Sequence, residues 1–204
     1  MSNAGLRRRK AGGFTLIELM VVMAITVVLL LIAAPVFTDF IARSRLRSAA
    51  DDLTNQLALA RAEALRLDRN VNVSVVGSAT AWCAGGRQYT IPAGSIEGLV
   101  SAGSAAPACD CSSATDSLNC LVENKFSLVK SIDYENVEMT AGGGTAFAFD
   151  RKLGTLTNLT GATLTLRSTT RPDRYKLNIV VNPMGHARTC APAGFLTFGG
   201  IPSC

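Results

Sequence analysis

Histidine is almost missing from this chain, which has His186 alone, and tryptophan is limited to Trp82. A single imidazole with no carboxylate near it in sequence has nothing to orient it as a general base, so His186 is read as a residue lining a hairpin strand. No Gly-Lys-Ser/Thr phosphate loop occurs, and no dinucleotide fingerprint. Gly142 to Gly144 has no helical pattern after it and reads as a turn. Aromatic residues make up 6% of the chain and charged residues 17%. The residues therefore point to no enzyme, no cofactor and no metal. Apolar residues are not scarce, and at 48% hydrophobic composition the chain has the means to bury a core, which excludes a disordered polypeptide.

The formal charge of +5 suggests a nucleic-acid partner until it is located. Arg7, Arg8, Arg9 and Lys10 stand together in the first ten residues with no acid among them, and without them the chain is near +1. Basic residues ahead of an apolar run stay on the cytoplasmic side of a membrane, so the remainder faces outward. That remainder is uneven. Phe14 to Leu67 balances five bases with five acids, Asp68 to Asp150 sets four bases against nine acids, and Arg151 to Cys204 sets seven bases against Asp173 alone. The basic C-terminal part fits a solvated surface, an acid-to-base contact between neighbouring subunits, or an anion-binding face.

The run GGFTLIELMVVMAITVVLLLIAAPVF, Gly12 to Phe37, organises the chain. Leu19 to Ala34 is apolar except for Thr26, and with Phe14 to Glu18 it makes one helix long enough to cross a bilayer. Glu18 is the anomaly, because a carboxylate near a bilayer centre costs roughly 2.5 to 3.5 kcal/mol and marks a functional residue that needs a partner. An ordinary secretory signal would also have a basic head and an apolar core, but Glu18 inside the core and Pro35 just past it argue against that. Pro35 removes a backbone donor and is expected to bend or open the helix. Beyond it, Ile41, Leu46, Ala49, Ala50, Leu53, Leu57, Ala60, Ala64 and Leu67 recur at helical spacing, with Arg43, Arg45, Arg47, Asp51, Asp52, Arg61, Glu63 and Arg66 opposite. The expectation is a single stem of roughly 50 residues, about 80 Å long, hydrophobic all round in its first half and amphipathic in its second.

After Asp68 the period changes to two. Val71, Val73 and Val75 alternate with Asn72 and Ser74, which predicts a half-buried strand, and Ala81 to Cys83 with Arg87 to Ile91 predicts a hairpin across Gly85 and Gly86. Pro92 to Asn119 is rich in Gly, Ala and Ser and holds two cysteines, with Cys120 directly after it, so it reads as a long stapled loop. Phe126 to Ile132, Val137 to Met139, Thr145 to Phe149, Ala162 to Arg167, Tyr175 to Val181 and His186 to Cys190 are further strand candidates, with turn-sized connections. The fold class is α+β, an antiparallel sheet laid on the apolar stripe of one long helix. Six cysteines fit an oxidising compartment. Cys190 and Cys204 enclose a Gly- and Pro-rich segment that can turn back on itself, and closing that loop removes unfolded-chain entropy worth about 3 kcal/mol. Cys83, Cys109, Cys111 and Cys120 allow three pairings. Zinc bound by Cys109, Cys111 and Cys120 is disfavoured by their spacing and by the distance to the only histidine.

Gly13, Phe14, Thr15, Leu16, Ile17 and Glu18, behind a basic head and before an apolar run, resemble the processing site of type IV pilins and type II secretion pseudopilins. FAFDRKLG, ATLTLRS and RYKLNIVVNPMGHARTC resemble the C-terminal pattern of the GspH/FimT (FimU-like) minor pilins. The resemblance implies the type IV pilin-like fold, with a leader over 1–13, a transmembrane and filament-core helix over 14–37, an amphipathic half-stem over 38–67 and a periplasmic β-rich domain over 68–204. It implies cleavage by a prepilin peptidase between Gly13 and Phe14, N-methylation of Phe14, and an assembly role for Glu18 as partner of the Phe14 amine. The implied partners are other minor and major pilins, and the implied location is the bacterial inner membrane and then the filament. Many pilins close a C-terminal disulfide loop like that expected of Cys190 and Cys204. Some FimT-type pilins bind DNA through a Gly-Arg-x-Arg element; here Gly185 and Arg188 match while His186 replaces the first arginine, which removes most of one charge near neutral pH. Arg171, Arg174 and Lys176, with Arg167 beside them, are the residues that would compensate. The expected function is that of a minor pilin promoting pilus assembly, with a DNA-uptake pilin and a minor pseudopilin as alternatives.

Overall fold

The computed structural model describes residues 13–89, 120–122, 125–126, 128–142 and 146–204. The chain divides into two compact units, Met1–Phe40 and Ile41–Cys204. One helix, α1 (Leu16–Leu67), supplies residues to both. It starts where Thr15 caps it and ends where Asp68 takes a left-handed conformation at φ 49°. Arg66 lies in the last turn, bound to Glu63, and opposes the negative end of the helix dipole.

In the first unit the helix is exposed among the described residues. Leu16–Ala33 has a mean hydropathy of 2.9, and none of it is buried. That is a span by length and composition. Thr26, the polar interruption, donates its hydroxyl to the Val22 carbonyl at 2.7 Å, so the apolar run carries no unsatisfied hydroxyl there. The helix assignment continues through Pro35; the side chain on which the expected bend rests lies outside the described residues.

The second unit is built on the other half of α1. Ala42, Leu46, Ala49, Ala50, Leu53, Leu57, Ala60 and Ala64 are all buried; seven of them belong to the stripe that the spacing predicts, while Ala42 is buried in place of its neighbour Ile41, and Ile41 and Leu67 are half-buried. Five of the eight are alanine, so strands can approach the helix axis closely. Across them lie not one sheet but two. The first contains β1 (Asn70–Gly77), β2 (Trp82–Tyr89), β5 (Leu128–Lys130) and β7 (Ala146–Phe149) in the order β5-β2-β1-β7. The second contains β6 (Val137–Gly142), β8 (Ala162–Ser168), β9 (Lys176–Val181) and β10 (Ala187–Cys190) in the order β10-β9-β8-β6. A short ribbon pairs β3 (Leu121–Val122) with β4 (Lys125–Phe126). The pairings are antiparallel throughout.

Register puts the larger side chains on the core side. Val71 stands opposite Phe149 and Val73 opposite Phe147, while Leu164 faces Ile179 and Leu166 faces Leu177. Trp82 joins the two sheets, donating from its indole N–H to the Val137 carbonyl at 2.9 Å while its ring stacks on Tyr134.

Three strand expectations are corrected. Asn70, Asn72 and Ser74 are buried along with the valines, so β1 is covered on both faces. On the face away from the helix, Val76 stands opposite Cys83 and packs with Cys120 and Leu128. Gly85 and Gly86 lie inside β2, and the hairpin turns instead at Ser78–Ala81, where a Cβ on Gly77 would lie 2.1 Å from the Ala81 carbonyl oxygen. The expected strand over Phe126 to Ile132 is broken into shorter pieces and ends in a 3-10 turn, Ser131–Asp133. The long loop from Pro92 to Asn119 lies outside the described residues.

Leu53 is buried in the stripe and Leu59 is 55% exposed on the same helix. Leu53→Ala is expected to lower the unfolding free energy by roughly 2 to 5 kcal/mol, and Leu59→Ala by less than about 0.5 kcal/mol. Denaturant titration of the two variants checks this, and equal losses would contradict the assignment of the stripe.

Candidate functional site

At the start of the helix, the spacing Thr-Leu-Ile-Glu does more than mark a motif. Thr15 accepts a hydrogen bond on Oγ1 from the Glu18 backbone N–H at 3.3 Å, and its carbonyl accepts from the Leu19 N–H at 3.2 Å. This is the N-cap half of a capping box, with Glu three residues after Thr and at the positive end of the dipole. The Thr15-x-x-Glu18 spacing is the sequence signal of that cap. Gly13 has open space around it, Phe14 is 82% exposed, and Leu16, Ile17 and Leu19 are exposed with it. Glu18 therefore sits in an apolar surface, and among the described residues no basic group pairs with it. Its charge calls for a partner from outside this part of the chain.

The hairpin element Gly185-His186-Ala187-Arg188 splits into two roles. Gly185 is buried at φ 80°, and a Cβ there would lie 2.1 Å from the Gly154 carbonyl oxygen. From the helix, Arg61 donates to that same carbonyl at 2.9 Å and meets His186 Nδ1 at 3.3 Å. Asn182 closes the turn through its side chain, accepting from the His186 backbone N–H at 2.9 Å. Gly185 and His186 thus fasten the β9–β10 turn to the stem. Arg188 is exposed in β10 opposite Val180. Lys176 begins β9, four residues from Val180, or about 13 Å along the strand. Arg171 and Arg174 lie in the connection ahead of it. The fold gathers Arg171, Arg174 and Lys176 at one end of the sheet and leaves Arg188 towards the other.

That basic end adjoins the C-terminal loop. Cys190 and Cys204 form the expected disulfide, with Cα atoms 5.0 Å apart. The loop is tied down at both its neck and its tip. Ala191 exchanges backbone hydrogen bonds with Pro202 and Cys204, Leu196 donates to the Arg174 carbonyl, and Arg47 on the helix donates to the Gly199 carbonyl at 2.7 Å. Tyr175 meets Phe198 edge to face, Arg43 lies over Tyr175, and Lys176 lies over Phe195. Composition predicts the bond; only the fold shows that the loop docks on Arg47 and on Tyr175, which Arg43 covers. Cys83 and Cys120 are buried, pack together and are each disulfide-bonded, while Cys109 and Cys111 lie outside the described residues.

On the other side of the helix, Tyr134 donates its phenol to Asp52, and Arg45 pairs with Glu135 at 2.9 Å. Burial, and after it the bond to the Asp52 carboxylate, raises the Tyr134 phenol well above the ordinary tyrosine range. Among the described residues no three His, Cys, Asp or Glu side chains are grouped to hold a metal ion. What the arrangement offers chemically is a set of docked surfaces and one carboxylate in an apolar helix.

A helix that is bare and apolar at one end and covered by antiparallel sheets at the other, headed by Gly-Phe-Thr-Leu-Ile-Glu, defines the class of type IV pilins and pseudopilins. The family model for the type II transport protein GspH matches residues 49–185, and the prokaryotic N-terminal methylation motif matches residues 8–34. The chain belongs to the GspH family. No curated protein matches it. Among solved structures it is similar to the type IV minor pilin FimU of Pseudomonas aeruginosa (strain PAO1) in two crystal forms. In space group P21 the identity is 18%, over 73% of this chain and 90% of that one, with a TM-score of 0.46. In space group P65 the identity is 17%, over 71% and 92%, with a TM-score of 0.43.

Replacing Cys190 and Cys204 together by serine is expected to cost about 3 kcal/mol of stability through the freed loop entropy. Thermal unfolding of this variant beside the parent measures the loss, and an unchanged midpoint would contradict a structural role for the bond.

Proposed function

We propose that this chain is a minor pilin made as a single-span precursor, with its C-terminal domain on the periplasmic side of the inner membrane. In this reading a prepilin peptidase cuts after Gly13, removing the basic leader, and the new amine of Phe14 is methylated. The mature subunit then leaves the membrane to join other minor and major pilins in a filament or at its tip. Glu18 pairs with the Phe14 amine, in its own chain or in a neighbour, once the apolar helices bundle. The observation that carries the proposal is the methylation motif over residues 8–34, which coincides with a capped, wholly exposed apolar helix whose one carboxylate is Glu18. A charge in such a surface costs free energy in lipid and gains it where a cation is supplied.

A second reading, a minor pseudopilin of a type II secretion system, is favoured by the name of the matching family, type II transport protein GspH. Both readings use the same helix chemistry. Glu18→Ala and Glu18→Val are expected to leave membrane insertion intact and to abolish assembly. Filament counts and protein secretion in cells carrying each variant test this together: whichever output fails identifies the apparatus, and normal values of both would sink the proposal.

A further inference from the structure

Three turns meet at the end of the second unit where the stem helix finishes. The first, 151–154, lies against the helix, and a Cβ on Gly154 would stand 3.2 Å from Leu65 Cδ1. The second, 157–161, and the third, 183–185, close on each other and on the first. Leu156 donates its backbone N–H to the Pro183 carbonyl at 2.9 Å, a Cβ on Gly161 would lie 2.9 Å from the Val181 carbonyl oxygen, and Gly185 abuts the Gly154 carbonyl. Each turn carries one large apolar side chain into solvent. Leu153 is 71% exposed, Leu159 67% and Met184 60%, and Leu65 at 43% extends the patch onto the helix.

One exposed leucine is ordinary, but Leu159 is placed neither by burial nor by backbone preference. Its φ is 55°, in the left-handed region where a leucine is strained. The other non-glycine residues with positive φ among the described residues are Asp68 and Asn136, types that tolerate that conformation. Leu159 contributes to neither the core nor the turn, and what it does supply is an apolar group held outward. The first turn presents its leucine by a different device. Asp150 Oδ1 accepts from the backbone N–H groups of Lys152 and Leu153 at 2.9 Å each, which turns the carboxylate into the loop and leaves both side chains exposed. Around the patch stand the bases Arg61, Arg69, Arg151 and Lys152 against the acids Asp68 and Asp150, with Arg151 reaching Asp68 at 3.8 Å. Glu63 and Arg66 nearby cancel each other. The surroundings are basic on balance.

We propose that this patch seats on a lipid surface that contains anionic headgroups, with Leu153, Leu159 and Met184 entering the acyl boundary and Arg151 and Lys152 at headgroup level. A bilayer is the occupant because the apolar groups stand on three separate turns with bases beside them. A fluid interface accepts apolar points and a basic rim without a matching shape, and its hold grows with apolar area and with the number of basic residues near the headgroups. A folded partner would have to match the patch in shape as well. The contact belongs to the domain alone and uses neither Glu18 nor the membrane span, so it can fail while processing and assembly hold.

The test uses the full-length protein in phosphatidylcholine nanodiscs, which already house the apolar helix, mixed with sucrose-loaded vesicles. The protein is expected to sediment with vesicles of phosphatidylcholine and phosphatidylglycerol, and at least about fivefold less with phosphatidylcholine alone. Leu159→Asn with Met184→Ser is expected to cut the bound fraction at least about tenfold, because two apolar side chains no longer enter the lipid. Leu159→Asn alone is expected to weaken binding while raising the thermal midpoint, since asparagine tolerates the left-handed conformation, and Leu159→Trp is expected to keep binding. No sedimentation with either vesicle, binding unchanged in the double variant, or a lower midpoint in Leu159→Asn would overturn the proposal. A parent protein that ignores both vesicles and runs as a multimer lost in Leu159→Asn would assign the patch to a protein contact and overturn it as well.

Discussion

Burial of one alanine-rich stripe, from Ala42 to Ala64, under two sheets is the interaction on which the rest of the domain depends. The stripe gives the valines of β1, the phenylalanines of β7 and the leucines of β8 and β9 a common surface to pack against. Its small residues let the strands approach the helix closely. The same helix continues into a segment with no such cover, where nearly every side chain is apolar and exposed. One helix thus meets two environments, and its sequence changes character where the environment changes.

The stem also pins the domain's connections through its arginines. Arg61 holds the Gly154 and Gly185 turns, Arg47 holds the C-terminal loop at Gly199, and Arg45 meets Glu135. Each is a long side chain lying along the apolar edge of the helix with its charge at the rim. These contacts add directional ties to loops whose apolar residues, such as Tyr134, Phe198 and Ile201, join the core only in part.

Much of this was legible where the signal is local. The membrane-spanning run, the helical stripe and the processing motif are linear patterns, and each appears where its spacing places it. The pair Cys190–Cys204 could be read because a short Gly- and Pro-rich segment separates the two. What could not be read depends on partners far along the chain. Alternation in β1 shows which residues face the helix, but the other face is buried too, at Asn72 and Ser74, and the packing of Val76 there with Cys83, Cys120 and Leu128 joins residues distant in sequence. Gly85 and Gly86 have a turn's composition, yet the turn falls at Gly77, where the chain needs a positive φ. His186 reads as a strand-lining residue standing where an arginine would complete a DNA-contacting element; its contact with Arg61, 125 residues away, has no trace in local spacing.

The division of the N-terminal sequence into a disposable leader, residues 1–13, and a retained helix is the claim on which the functional reading turns. Mass spectrometry of the N-terminal peptide, from the chain expressed with its peptidase in membranes, addresses it directly. The account predicts a mature chain that begins at Phe14 and carries a methyl group on its amine. A chain that keeps Met1 to Gly13, or that begins at any other residue, would contradict it.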